Sequence, residues 1–102
     1  MDRVLKEVSD RWNKLSLVEQ MINIGNEVKR AIRVDMDNEA KCRFLDKAIS
    51  YTDLTIADPK NKKVIPELLI SKDVLEDYRG EHKLNYSRDQ LRNYYGNYIF
   101  LL

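Results

Sequence analysis

Glycine and proline are scarce, three and two in 102 residues. Tight turns draw on both, so a fold of many short strands is disfavoured and helices are the first expectation. Cysteine occurs once, at Cys42, so no intrachain disulfide can form, which fits a reducing compartment. His82 is the only histidine, and any Ser–His or Cys–His catalytic arrangement would have to use it. Neither sign of charge predominates: 18 Lys and Arg stand against 17 Asp and Glu, a formal net charge of +1. Proteins that neutralise phosphates usually carry a clear basic excess or stripe, so only a local patch would favour nucleic acid. No stretch approaches the roughly 20 apolar residues of a bilayer span. The opening Met1-Asp2-Arg3-Val4-Leu5-Lys6-Glu7 has no apolar signal-peptide core. The expected location is the cytoplasm, with no membrane association.

What is present is a balance of 43% hydrophobic and 34% charged residues, the composition of a folded chain rather than a disordered one. The length fits one domain over residues 1–102. Val4, Leu5, Val8, Trp12 and Leu15 fall at helical spacing and predict a short helix over about 3–14. Ser16-Leu17-Val18-Glu19 has the form of a capping box. The stripe Leu17, Met21, Ile24, Val28 and Ala31 follows it, widened by Val18, Ile22 and Ile32, and predicts a helix over about 17–34. Ser16 alternatively sits inside one continuous helix. Gly25 either admits a neighbouring helix closely or is a tolerated surface glycine.

Asp35-Met36-Asp37-Asn38 reads as a turn, with Asp37 or Asn38 capping the next helix. Phe44, Leu45, Ala48, Ile49, Thr52 and Ile56 predict that helix over about 38–57, ended by Asp58-Pro59. Lys60-Asn61-Lys62-Lys63 reads as a basic loop. Pro66 suits a helix start and Gly80 a stop around the stripe Leu68, Leu69, Val74, Leu75 and Tyr78, with a break possible near 71–73. Ser87-Arg88-Asp89-Gln90 is a second capping box, followed by Leu91, Tyr94, Tyr95, Tyr98, Ile99 and Leu102 at helical spacing. The expected fold is all-α, an antiparallel four-helix bundle with a short extra N-terminal helix.

Catalytic and metal chemistry find little support. His82 lies in a polar stretch, Arg79-Gly80-Glu81-His82, too compact for the Arg-to-His spacing of helical ribonucleases. No Glu-x-x-His pair is available for a di-iron bundle, and zinc lacks its Cys and His ligands. Asp35, Asp37, Glu39 and Asp46 loosely follow a calcium loop, but the sixth position is Ala40 where a sharp turn needs glycine. No metal or cofactor is expected, and the chain is read as non-enzymatic. Lys60, Lys62 and Lys63 could hold an anion near the next helix N-terminus, though a solvated loop explains them more simply.

The unusual feature is tyrosine. Tyr94, Tyr95 and Tyr98 cluster beside Arg88 and Arg92. Core packing ranks first for them, a protein interface second and base stacking third. Residues 16–33, Ser16-Leu17-Val18-Glu19-Gln20-Met21-Ile22-Asn23-Ile24-Gly25-Asn26-Glu27-Val28-Lys29-Arg30-Ala31-Ile32-Arg33, resemble the opening of a family of short, uncharacterised bacterial helical proteins, and Asp53-Leu54-Thr55-Ile56-Ala57-Asp58-Pro59 resembles its second shared block. The resemblance covers 25 of the 102 residues and implies a helical bundle but no activity. Its polar residues, Glu19, Asn23, Asn26, Glu27, Arg30 and Arg33, form candidate polar faces: Asn23, Glu27 and Arg30 on one, Asn26, Arg30 and Arg33 on another. Plain Glu27–Arg30 pairing is the simpler account.

The leading expectation is a helical interaction module that self-associates, for instance as a homodimer, or binds a protein partner. A nucleic-acid binder through Lys60, Lys62, Lys63, Arg88 and Arg92 is the alternative. A small enzyme with carboxylates and Arg30 in a bundle cavity is the third reading.

Overall fold

The computed structural model describes residues 3–80, 83–84 and 86–97. Every element within them is helical: α1 (Arg3–Asn13), α2 (Leu17–Arg33), α3 (Asn38–Ala57), α4 (Ile65–Arg79) and α5 (Arg88–Gly96), with a 3₁₀ helix, Pro59–Val64, between α3 and α4. The helices pack together around a shared core. No helix among the described residues is long and apolar enough to cross a membrane.

Short-range chemistry sets the helix boundaries. The Glu19 amide donates to Ser16 Oγ at 3.1 Å and the Ser16 amide donates back to Glu19 Oε1 at 3.0 Å. These two bonds separate α1 from α2, and donation from the Ser16 amide first and its hydroxyl second holds the Glu19 carboxyl below its ordinary range. Asp37 caps α3 by accepting from the Ala40 amide at 3.1 Å. Asp58 ends α3, since the proline after it disfavours a further helical residue. Ser87 and Gln90 repeat the capping box at α5, and Gly80 is the C-cap of α4. Capping side chains of this kind each contribute about 1 kcal/mol.

The core is drawn from every helix. Met21, Ile24, Val28 and Ala31 of α2 meet Leu45 and Ala48 of α3, Leu68, Leu75 and Tyr78 of α4, and Leu91 and Tyr95 of α5. Trp12 of α1 joins them and stacks on Tyr51, ring centroids 4.6 Å apart. Burying one such large side chain fully is worth roughly 1.5–3 kcal/mol. α2 packs on α3 most extensively, α3 on α4, and α5 on α2. Gly25 is where α5 reaches α2: a Cβ there would stand 2.7 Å from Tyr95 Cβ. Of the two roles open to Gly25, close approach is the observed one.

Several expectations need correction. Residues 60–63 are not a loop but most of the 3₁₀ helix, and Asn61 is buried, 3% exposed. α4 runs unbroken through 71–73, because Ser71 bonds back to the Glu67 carbonyl at 3.0 Å instead of terminating the helix. Leu69, placed in the core stripe, is 48% exposed, because Leu68, Ser71, Leu75 and Tyr78 hold the buried register. Ser16 does not lie inside one continuous helix, as its cap shows. The expected continuation of α5 through Tyr98, Ile99 and Leu102 lies outside the described residues, as does His82.

Candidate functional site

The α1–α2 junction carries polar residues that turn inward. Gln20 sits four residues before Ile24, in register with the apolar stripe, and is fully buried. Its Nε2 donates to the Trp12 carbonyl at 3.0 Å and to Asp58 Oδ2 at 2.9 Å. Its Oε1 accepts from Asn61 Nδ2 at 2.9 Å, and Asn61 also donates to the Thr55 carbonyl at 2.9 Å. Trp12 Nε1 donates to Thr55 Oγ1 at 3.0 Å. The Lys60 ammonium pairs with Asp58 and donates to the Asn13 carbonyl at 2.8 Å. Burial alone would raise the Asp58 carboxyl, but the Lys60 and Gln20 donors outweigh it and hold it below its ordinary value. These bonds tie α1, α2, α3 and the 3₁₀ helix into one knot. Its chemistry is structural: the Gln20 and Asn61 amides bond within the protein, and two of the three Lys60 ammonium hydrogens have partners there.

Glu27 is the second inward-facing polar group. It is 4% exposed, although its position in the sequence pattern places it on a polar face with Asn23 and Arg30. The reason is the neighbouring helix: Lys47 of α3 lies 3.6 Å from Glu27 Oε1, and Arg30 donates to the same oxygen at 2.6 Å. Oε2 is buried with no hydrogen-bond partner. Asn23 bonds its own helix at the Glu19 carbonyl, 2.9 Å, while Asn26, Arg30 and Arg33 are exposed. The Glu27–Arg30 pair is present, and the remaining candidates on α2 do not gather into a site.

At the α2–α3 turn, Tyr78 donates to Asp35 Oδ1 at 2.6 Å, with Arg88 at 3.7 Å and Lys41 at 4.0 Å from the same carboxylate. Burial first, and the Asp35 bond second, push the Tyr78 phenol far above its ordinary range. Arg88 therefore works at one end of α3. Lys60, Lys62 and Lys63 lie just past the other end of that 20-residue helix, about 30 Å away. Arg92 pairs with Asp89 at 3.3 Å. The basic groups proposed for nucleic acid thus fall in two sets, Arg88 near one end of α3 and Lys60, Lys62 and Lys63 past the other.

The tyrosines divide. Tyr95 is buried against Gly25, while Tyr94 is half-buried and edge-on to it, centroids 4.9 Å apart at 90°. Tyr98 lies outside the described residues. Tyr94 and Tyr95 form one side of a groove of about 310 Å³ between α4 and α5, lined also by Glu67, Ile70, Ser71, Val74, Tyr86, Gln90 and Leu91. Ile70 and Tyr86 at its mouth are 63% and 45% exposed. Tyr94 OH donates to Glu67 Oε1 at 3.0 Å and lies 3.0 Å from Ser71 Oγ. Among the described residues no group of three or more His, Cys, Asp and Glu could hold a metal ion.

Comparison with family models, with curated proteins and with solved structures gives no match, so the resemblance seen in residues 16–33 and 53–59 carries no functional argument. Sequence reasoning missed Gln20 and Asn61 in the knot and Glu67, Ser71 and Tyr86 in the groove. A usable signal existed for two of them. Gln20 and Ser71 occupy apolar registers of their helices, and a polar side chain in a core register announces a buried hydrogen bond.

Proposed function

We propose that this chain is a non-enzymatic helical interaction module, and that the α4–α5 groove is the surface through which it self-associates or takes a protein partner. The observation that carries this reading is the groove itself: exposed Ile70 and Tyr86 lead into an apolar cleft with aromatic walls. Aromatic side chains at the rim of an apolar cleft are what interaction hot spots are made of. The matching architecture is an antiparallel four-helix bundle of α2 to α5 with α1 as the extra helix. Supporting it, Gln20 near the start of α2 bonds Asp58 at the end of α3, Tyr78 near the end of α4 bonds Asp35 before α3, and Tyr94 of α5 bonds Ser71 of α4. Among the described residues α4 and α5 pack on each other less than α2 on α3, α3 on α4 or α5 on α2.

Light scattering over a range of concentration, on the chain and on Ile70→Glu, tests self-association. The expected result is a concentration-dependent increase in mass that the substitution removes without changing the melting temperature. A photocrosslinker at position 70 tests for a different partner, with exposed Arg43 of α3 as control position. An adduct of defined mass from position 70 alone is expected. A monomer at every concentration, together with no adduct from position 70, overturns the reading.

A further inference from the structure

The outer face of α4 carries its charge in a fixed order. Pro66, Leu69, Ile70, Asp73, Glu76 and Asp77 recur at steps of three and four or lie side by side, so they share one side of the helix. The first five are exposed and Asp77 is half-buried. The opposite side holds Leu68, Ser71, Leu75 and Tyr78 in the core. Lys62 and Lys63, both exposed, stand in the last turn of the 3₁₀ helix, just before α4. Neither forms an ion pair among the described residues. The other cations of this stretch are engaged within the chain: Lys60 with Asp58, Lys72 with Asp53 at 2.8 Å and Arg79 with Asp46. From start to end the face therefore reads basic, apolar, acidic. Its apolar middle is open to solvent, Leu69 at 48% and Ile70 at 63%.

Such an order selects an occupant. A uniformly acidic or uniformly basic partner would meet like charge at one end. A second copy laid parallel would set lysine on lysine and carboxylate on carboxylate. A second copy laid antiparallel sets each basic end on an acidic one and hydrocarbon on hydrocarbon. The register follows from the spacing. Lys62 and Asp77, Lys63 and Glu76, and Leu69 and Ile70 lie symmetrically around one point, midway between Leu69 and Ile70. At a rise of about 1.5 Å per residue, each charged set stands roughly 10 Å from that centre. Covering Leu69 and Ile70 takes hydrocarbon out of water and supplies the attraction. The charges fix the direction, and two-fold symmetry makes each contact twice.

We infer that the outer face of α4 binds the same face of a second copy of this chain, antiparallel about a two-fold axis, with Leu69 of one copy against Ile70 of the other. This rests on the reading of the α4–α5 groove as a contact surface, with which the face shares Ile70. The test is a charge exchange on the intact chain, read by light scattering over a range of concentration. Lys62→Glu with Lys63→Glu reverses one end, and Asp73→Lys with Glu76→Lys reverses the other. Each pair of substitutions is expected to raise the dissociation constant about ten-fold, since exposed ion pairs are weak singly but each is met twice. Mixing the two variants should restore association, and so should all four substitutions in one chain. Circular-dichroism melts should stay unchanged across the set. Independently of these substitutions, a photocrosslinker at position 70 should join two copies, with the adduct mapping to α4 of the second.

Association indifferent to either reversal, weakening that neither the mixture nor the combined exchange restores, or an adduct on a helix other than α4 overturns the antiparallel pairing while the contact-surface reading stands. A chain that stays monomeric yet gives a position-70 adduct with a different protein overturns the second copy as occupant and leaves that reading in place. A monomer with no adduct removes both.

Discussion

At the junction of α1, α2 and the 3₁₀ helix, polar side chains are buried and tied to one another; between α4 and α5, apolar side chains stand in solvent and a chain of hydroxyl contacts crosses. Gln20 and Asn61 are nearly inaccessible, whereas Ile70 is 63% exposed. A buried amide costs several kcal/mol unless its hydrogen bonds are made, so the knot admits one arrangement of the elements it joins. The groove has no such demand and pays for its openness with exposed hydrocarbon, which becomes favourable when something covers it. One region holds the fold together, and the other is the surface we propose for association.

The largest effect expected is in the knot. Gln20→Leu removes the donor to the Trp12 carbonyl and the acceptor for Asn61, both buried, and should cost about 2–3 kcal/mol. Urea denaturation checks it, and a loss below 0.5 kcal/mol would mean that the knot is not the fastening described. Next is the joint between α2 and α5. Gly25→Ala places a methyl group 2.7 Å from Tyr95 Cβ, part of the side chain that cannot swing away, and should cost about 2 kcal/mol as overpacking does. Gly96→Ala, with nothing within 4 Å of the new carbon, should be neutral or slightly stabilising, since alanine is the better helix former. Equal effects at the two glycines would erase the distinction.

The pH dependence should separate the knot from the rest of the molecule. Asp58 has a folded pKa below its ordinary 3.8. Its contribution is therefore complete above that value and lost as pH falls through the lower folded one. Asp58→Asn should flatten that acid limb of the denaturation midpoint. Tyr78 is raised from its ordinary 10.0, so its contribution is complete below that pH. It is lost as pH rises toward the folded value, because the unfolded phenol ionises first. Tyr78→Phe should flatten the alkaline limb. The smallest stability effect belongs to the groove: Ile70→Glu should change unfolding free energy by less than about 0.5 kcal/mol while abolishing association. A large loss of stability there would make the groove part of the core.

Much of the architecture is written in local pattern. Ser16 with Glu19, Asp37 before Ala40, Asp58 before Pro59 and Ser87 with Gln90 announce their helix boundaries in four or fewer consecutive residues, and the structure uses each of them. The site was less legible. Tyr94 and Tyr95 stand out as a pair in the sequence, but their separation into a half-buried hydroxyl bridge and a core ring depends on α4 and α2. Asn61 reads as a loop residue among lysines because its partners, Gln20 and the Thr55 carbonyl, include a residue 41 positions away.

The sequence by itself determined five helices and the boundaries capped at Ser16, Asp37, Asp58 and Ser87, since apolar spacing and capping act between residues three or four apart. Only the tertiary structure decided which polar groups turn inward and where the surface stays open. Lys47 coming from α3 is what lets Glu27 be buried, and Tyr95 coming from α5 is what requires glycine at position 25. Those pairings join residues far apart in the chain, and their energies arise from desolvation and close packing that exist only once the helices have met.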